Sequence, residues 1–327
     1  MIDLYALIKS TNAFKTIIGD KKSGRLSHAY LFLTPDGQNL TEYLKIFASV
    51  MTCADEESCG NCRTCKLIKN NTFSDVLVYP RENQTINTEE VNDIIAESFL
   101  KPIEIDKKIF ILTDAQNMNI QAQNKLLKTL EEPPKNVHIL IGATSEFPLL
   151  PTIKSRVKKL EIAPFSKEIL FEAMRDDFAD EQKLKMAIAC SDGTVGRAKV
   201  LYEDNDLSKV TDIVCQVICE MQSSKDLLKY STLISNSKCD LDNFLSLLEL
   251  VLRDMLIAKQ NLQRLMFNPS AYQRVKNAQG FSTGALINAI ESVEEAQKRK
   301  KFNANPTMLI EWVLFQILEG KYKWQKL

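Results

Sequence analysis

Residues 29–41 read AYLFLTPDGQNLT, and they establish the pattern of the first half of the chain. The apolar run from Ala29 to Leu33 predicts a short buried strand, and Pro35 and Gly37 predict a turn directly after it. Apolar residues then recur at helical spacing, at Leu40, Leu44, Phe47, Ala48 and Met51. A strand, a glycine-containing turn and an amphipathic helix form a unit in which many proteins bind phosphate, because amides at a helix start attract anions.

Four more apolar runs predict strands at residues 76–79, 109–113, 137–142 and 157–162. Amphipathic helical segments lie between them. We expect Thr88 to cap one such helix, with an inner face of Val91, Ile94, Ile95 and Phe99. Another has apolar residues at Ala122, Leu126, Leu127 and Leu130 and ends at Pro133-Pro134. This alternation predicts an α/β domain, a parallel sheet with flanking helices. Beyond about Ala163 only helical patterns remain, which predicts an all-α second half.

The composition excludes some classes of protein. Lys and Arg total 42 and Asp and Glu total 42, so no overall positive field would drive nonspecific binding to nucleic acid. No apolar run approaches the length of a membrane span, and the first residues do not read as a secretion signal. We therefore expect a cytoplasmic protein with no membrane association.

Four of the eight cysteines crowd into one short segment, with the spacing Cys53-x5-Cys59-x2-Cys62-x2-Cys65. Four thiolates can close a tetrahedral shell around Zn²⁺, and with no open position such a site is structural. The alternative is a set of redox-active or merely buried thiols. The remaining cysteines are scattered, at Cys190, Cys215, Cys219 and Cys239, which fits one metal site plus buried thiols in a reducing compartment.

The turn after the first strand departs from the phosphate-binding pattern G-x-x-x-x-G-K-[ST]. Thr34 replaces the first glycine, Asn39 the second and Leu40 the lysine. Only Thr41 and the general shape remain, a turn containing Pro35 and Gly37. Replacing an ammonium with an isobutyl group removes the main charge partner of the phosphates, and Asp36 adds repulsion. We therefore predict no ATP in this site.

The acidic pair that an active nucleotidase uses to hold Mg²⁺ is also absent from the sequence. The predicted strand ending in Ile111-Leu112 leads into Thr113-Asp114, where an active nucleotidase would present two acidic residues to hold Mg²⁺. Thr113 cannot anchor the ion.

Three further segments carry a resemblance to a known family. They are Arg25–Phe32 (RLSHAYLF), Leu126–Pro134 (LLKTLEEPP) and the Ser155-Arg156 pair. Together with the cysteine cluster they resemble bacterial clamp-loader subunits of DNA polymerase III, which are AAA+ proteins. Within that family the altered turn favours the delta-prime type over the motor type.

The resemblance implies a division of the chain into three domains. These are a AAA+ core at 1–163 with an inserted zinc module at 53–65, a helical lid at 164–205 and a helical collar for oligomerisation at 206–327. It also implies partners: motor (gamma/tau-type) and delta subunits in a hetero-pentamer, and through that complex the sliding clamp and primer-template DNA. Arg156 is implied to act in trans, as an arginine finger on ATP bound by a neighbouring motor subunit.

Two other functions remain open at this point. One is an ATP-binding motor-type clamp-loader subunit with an unusual loop. The other is a zinc-dependent nucleic-acid-binding module on an inert α/β scaffold, which predicts tight, salt-sensitive binding by the chain alone.

Overall fold

In a computed structural model, the protein is described over residues 2–81, 85–203, 206–236, 240–301 and 304–323. Cys239 lies outside these residues. The chain divides into two compact units, the first made of Met1–Asp177 with Thr194–Gly196 and the second of Phe178–Gly193 with Arg197–Leu327. The three-domain division at 163 and 205 stays a prediction.

The first unit contains a five-stranded parallel sheet, which confirms the predicted α/β class. Its strands are β1 (Ala29–Leu33), β2 (Val76–Tyr79), β3 (Lys108–Leu112), β4 (Val137–Ala143) and β5 (Lys158–Glu161). They lie in the order β2-β3-β4-β1-β5. Each predicted strand end is correct to within one residue, because the apolar runs are short and are bounded by polar or turn residues.

The described residues of the first unit also form the helices α1 (Leu4–Lys9), α2 (Asn12–Lys22), α3 (Leu40–Thr52), α4 (Arg63–Lys69), α5 (Thr88–Ser98), α6 (Ile120–Glu131), α7 (Pro151–Lys154) and α8 (Lys167–Met174). Successive side chains of a strand point to opposite faces. Tyr30 and Phe32 of β1 thus join an apolar core with α2 and α3. Leu31 joins a second core with α5 and α6 on the other face. Both faces of the sheet are therefore covered by helices.

Helix α3 lies close against the sheet because β4 carries a glycine. A Cβ placed on Gly142 would lie 2.7 Å from the Cδ1 atoms of both Leu40 and Leu44. The ring of Phe47, one turn further along α3, stacks on Phe32 with a centroid distance of 4.3 Å. Helix α3 is thus held against the sheet by apolar contacts along its inner face.

Two details of α5 differ from the prediction. Its N-cap is Asn87, not Thr88, and the Asn87 Oδ1 accepts hydrogen bonds from the amides of Glu89 and Glu90 at 2.9 Å each. Phe99 was predicted on the inner face, but the helix ends at Ser98 and the Phe99 side chain is 73% exposed. Phe99 is the C-cap residue, and at about 100° per residue it lies to one side of the inner face, where the last turn places the buried Ser98 instead.

The second unit is helical. It contains α9 (Glu181–Ala189), α10 (Val195–Glu203), α11 (Asp206–Glu220), α12 (Ser224–Asn236), α13 (Leu241–Lys259), α14 (Pro269–Val275), α15 (Thr283–Lys301) and α16 (Pro306–Lys323). The first two residues of α10 count with the first unit. The helices of the second unit share one apolar core that includes Phe244, Val251 and Leu314. Among the described residues, no helix combines the length and apolar character needed to cross a membrane.

Candidate functional sites

The structure brings the four predicted cysteines together. All four Sγ atoms lie within 4.8 Å of one another, with Cys53 at 3.7 Å from Cys59 and 4.0 Å from Cys62. A Zn–S bond of about 2.3 Å in a tetrahedron gives an S···S separation of roughly 3.8 Å. The cluster therefore has the size of a four-thiolate metal site.

Local structure aims these thiols at a common centre. Cys53 directly follows α3, Cys62 is the N-cap of α4 and Cys65 lies in the first turn of that helix. Gly60 has a φ of +69°, which lets the backbone turn tightly between Cys59 and Cys62. The loop thus returns the chain to the end of α3 within a dozen residues.

Backbone amides already favour thiolate at one position. The amide of Cys62 donates to the Cys59 Sγ at 3.3 Å. This contact, with a second from the Asn61 amide, lowers the pKa of the Cys59 thiol to about 7. Burial raises the pKa of Cys65 to about 12. Because metals bind the thiolate, a bound cation would have to displace the proton of Cys65.

A lysine of α2 fastens the cysteine segment to the rest of the unit. The Lys21 ammonium donates to the carbonyl oxygen of Cys53 at 2.8 Å and also to those of Asp55 and Glu56. An ion pair between Lys22 and Glu56 at 2.8 Å adds a weaker, exposed contact. No pattern in the sequence predicts these contacts.

The turn at residues 34–39 is closed around Asp36. The Asp36 side chain is only 4% exposed. Its carboxylate accepts hydrogen bonds from the Asn39 amide at 3.0 and 3.2 Å and from the Tyr43 hydroxyl at 2.7 Å. It also accepts from the backbone amides of Val195 and Gly196 at 3.1 and 3.3 Å. The carboxylate and the burial together raise the pKa of Tyr43, with burial the larger cause.

Leu40, Thr113 and Asp114 all contact other parts of the first unit. Leu40 is fully buried and lies against Gly142 in the core. The amide and hydroxyl of Thr113 both donate to the Tyr79 carbonyl, at 2.9 and 3.1 Å. Gln116 donates to the Asp114 carboxylate at 3.0 Å. Thr113 and Asp114 thus hold the end of β3 and the turn after it.

Arg156 lies between α7 and β5, where it contacts another of the quoted sequence segments. Its Nη2 lies 2.7 Å from the Oε1 of Glu131, a member of the LLKTLEEPP segment. Its Nη1 donates to the Thr152 carbonyl at 2.9 Å and to the Ser155 hydroxyl at 3.1 Å. The side chain remains 34% exposed. The guanidinium is thus oriented by its neighbours and still reachable from solvent.

A profile of the family described as "DNA polymerase III, delta subunit" matches residues 9–166. DNA polymerase III subunit delta' of Bacillus subtilis (strain 168) is 24% identical over 314 residues, covering 94% of this chain and 95% of that protein. Subunit tau of the same organism is 29% identical over 212 residues, covering 61% of this chain. The chain spans 38% of the length of that tau subunit.

Among solved structures, a gamma-subunit-related protein of Thermotoga maritima is 18% identical, with a TM-score of 0.43 over 93% of this chain and 99% of that one. The chain has a parallel sheet with flanking helices, followed by a helical region. This is a fold of the AAA+ class. Residues 9–166 thus match the family of DNA polymerase III clamp-loader subunits, and the similarity to a delta' subunit extends along 94% of the chain.

Proposed function

We propose that this protein is the delta-prime-type subunit of a clamp loader, which assembles with motor and delta subunits and helps to load the sliding clamp on primed DNA. The observation that carries the proposal is the match to a delta' subunit along 94% of this chain and 95% of that protein. The match to the tau subunit covers much less of both chains. A cytoplasmic location fits this role.

ATP does not fit the altered turn of the first unit. The isobutyl group of Leu40 is buried where the motif has an ammonium, and Thr113 donates both of its hydrogens to Tyr79. A further anion would lie beside the buried carboxylate of Asp36, where charge repulsion is poorly screened. In the proposed role the protein therefore binds no nucleotide of its own.

Zinc does fit the cysteine cluster. Cys53, Cys59, Cys62 and Cys65 would supply a closed shell of four thiolates, which suits a structural and not a catalytic ion. Such an ion would join the end of α3 to the start of α4 through the loop at Gly60. The proposed effect is local folding of residues 53–65.

Arg156 is the residue of this chain that we propose to take part in catalysis, and it would do so on a neighbouring subunit. A guanidinium suits the phosphate oxygens, on which negative charge is spread during phosphoryl transfer. To reach a phosphate it must leave Glu131, but that pair is half-exposed. Such pairs are worth about 0–1 kcal/mol, so the exchange is inexpensive relative to the gain.

A motor-type subunit is the second candidate function, because several of the relatives are gamma or tau subunits. Titration calorimetry of the isolated chain with ATP and ATPγS in the presence of Mg²⁺ discriminates the two. The motor subunit of the same organism serves as the positive control. We expect no saturable heat from this chain, and a micromolar affinity would instead favour the motor type.

A further inference from the structure

The Asp36 carboxylate is an anion buried with neutral donors alone. It accepts hydrogen bonds from the side-chain amide of Asn39, from the Tyr43 hydroxyl and from the backbone amides of Val195 and Gly196. No Lys, Arg or His of the described residues lies within ion-pair distance of it. Burying a charge without hydrogen bonds is strongly unfavourable, so these donors are what makes the burial possible.

This set of donors is the kind that proteins use to bind phosphate. Two of the donors are backbone amides at the start of α10, a helix of nine residues whose dipole also favours an anion at that end. The others come from the turn and from α3. Here one oxygen of the carboxylate, Oδ2, receives bonds from both groups.

Gly196 is shaped for this contact. A Cβ at that position would lie 2.6 Å from the Asp36 Oδ1 and 2.6 Å from the Gln38 Cβ. Any larger residue would push the start of α10 away from the turn. The close approach of residues 194–196 to the turn, all within the first unit, therefore depends on both Asp36 and Gly196.

We propose that Asp36 is an internal ligand that takes the place of a bound phosphate. Its carboxylate holds residues 194–196 on the turn at 34–39 without nucleotide, and its charge excludes an external anion. The statement that the carboxylate holds residues 194–196 on the turn stands on the contacts alone. The statement that the carboxylate replaces a phosphate rests on the proposed function, in which this turn is the remnant of a nucleotide site.

The first test is amide hydrogen exchange at Val195 and Gly196 in the full chain, without nucleotide. Hydrogen bonds to a charged group are worth enough to change an opening equilibrium by roughly 10- to 100-fold. We expect Asp36→Asn to accelerate exchange at these two amides by that factor. An exchange rate within twofold of wild type would overturn the proposal.

Asp75 provides a matched control. It is also fully buried, and its carboxylate accepts from the amides of Ile103, Glu104 and Ile105 at 2.7–3.0 Å. Asp75→Asn should accelerate exchange at those three amides and leave Val195 and Gly196 unchanged. If both variants affected Val195 and Gly196 equally, the effect would be a general loss of stability and the proposal would fail. If Asp36→Asn does not fold, Tyr43→Phe removes one donor and should give a smaller acceleration at the same amides.

The second test uses inorganic phosphate as the probe. In Asp36→Ala the donors remain and the carboxylate is gone, so millimolar phosphate should restore protection at Val195 and Gly196. The wild-type chain should show no response. A lack of rescue in Asp36→Ala would overturn the statement that the carboxylate replaces a phosphate. Nucleotide binding by the wild-type chain would instead contradict the proposed function and leave the exchange result standing.

Discussion

At the scale of single residues, Arg156 is the side chain whose removal we expect to slow ATP hydrolysis on another subunit. Its contacts with Glu131, Thr152 and Ser155 fix the guanidinium in a half-exposed position. In GTPase systems an arginine finger is worth roughly 10³ to 10⁵ in rate. In the proposed complex only one of several ATP sites would face this residue.

We therefore expect Arg156→Ala, in a reconstituted complex, to lower but not abolish ATPase stimulated by DNA and clamp, and to reduce clamp loading at least several-fold. Arg156→Lys keeps the charge but loses the planar fork, and it should rescue poorly. Arg175→Ala is the control, since Arg175 is also a surface arginine paired with a glutamate. Wild-type values for Arg156→Ala in both assays, with assembly intact, would remove the catalytic role.

Gly142 is the residue on which the packing of α3 against β4 depends. Because a Cβ there would clash with Leu40 and Leu44, Gly142→Ala should destabilise the first unit by about 1–3 kcal/mol, the usual cost of overpacking a core. Gly19→Ala is the matched control, since that exposed glycine of α2 has open space around its Cβ position. It should stabilise the helix by about 0.5–1 kcal/mol. Urea unfolding followed by circular dichroism measures both, and a Gly142→Ala variant as stable as wild type would contradict the packing account.

At the scale of elements, the segment between α3 and α4 should depend on metal for its structure. We expect one zinc per chain in protein purified without chelator, and less than half an equivalent in Cys62→Ser. Chelation should accelerate hydrogen exchange in residues 53–69 and leave the strands β1 and β4 protected. Cys219→Ser, which changes an exposed cysteine of the second unit, should keep its zinc. Unchanged zinc in Cys62→Ser would show that the cluster is not the metal site.

The same segment should bind zinc more tightly as the pH rises. Metal-free Cys65 has a pKa raised by burial to about 12, so its thiol is protonated at neutral pH and must lose a proton when the ion binds. Protons therefore compete with zinc, and lowering the pH should weaken binding. Competition with a chromophoric chelator at several values between pH 6.5 and 8.5 measures this, and a pH-independent affinity would argue against thiolate ligation by Cys65.

At the scale of the whole molecule, features coded by neighbouring residues were predictable and those coded across the chain were not. The strands and the cysteine cluster follow from local runs and spacings, so both were found. The cap of α5 was misplaced by one residue because Asn87 and Thr88 are both good capping residues and only the backbone geometry selects between them.

Asp36 was identified only as a source of repulsion. Its partners at Val195 and Gly196 lie about 160 residues away, and no spacing rule connects them. Glu131 lies in the LLKTLEEPP segment, but nothing in the sequence indicates that it pairs with Arg156.

The measurement that bears most directly on the proposed role is clamp loading by a complex reconstituted from the motor and delta subunits of the same organism, with and without this chain. The assay counts sliding clamps retained on primed circular DNA in the presence of ATP, alongside the number of ATPγS molecules bound per complex. We predict that adding the chain restores loading and adds no nucleotide site. Full loading without the chain, or one additional ATPγS bound when it is present, would contradict the account.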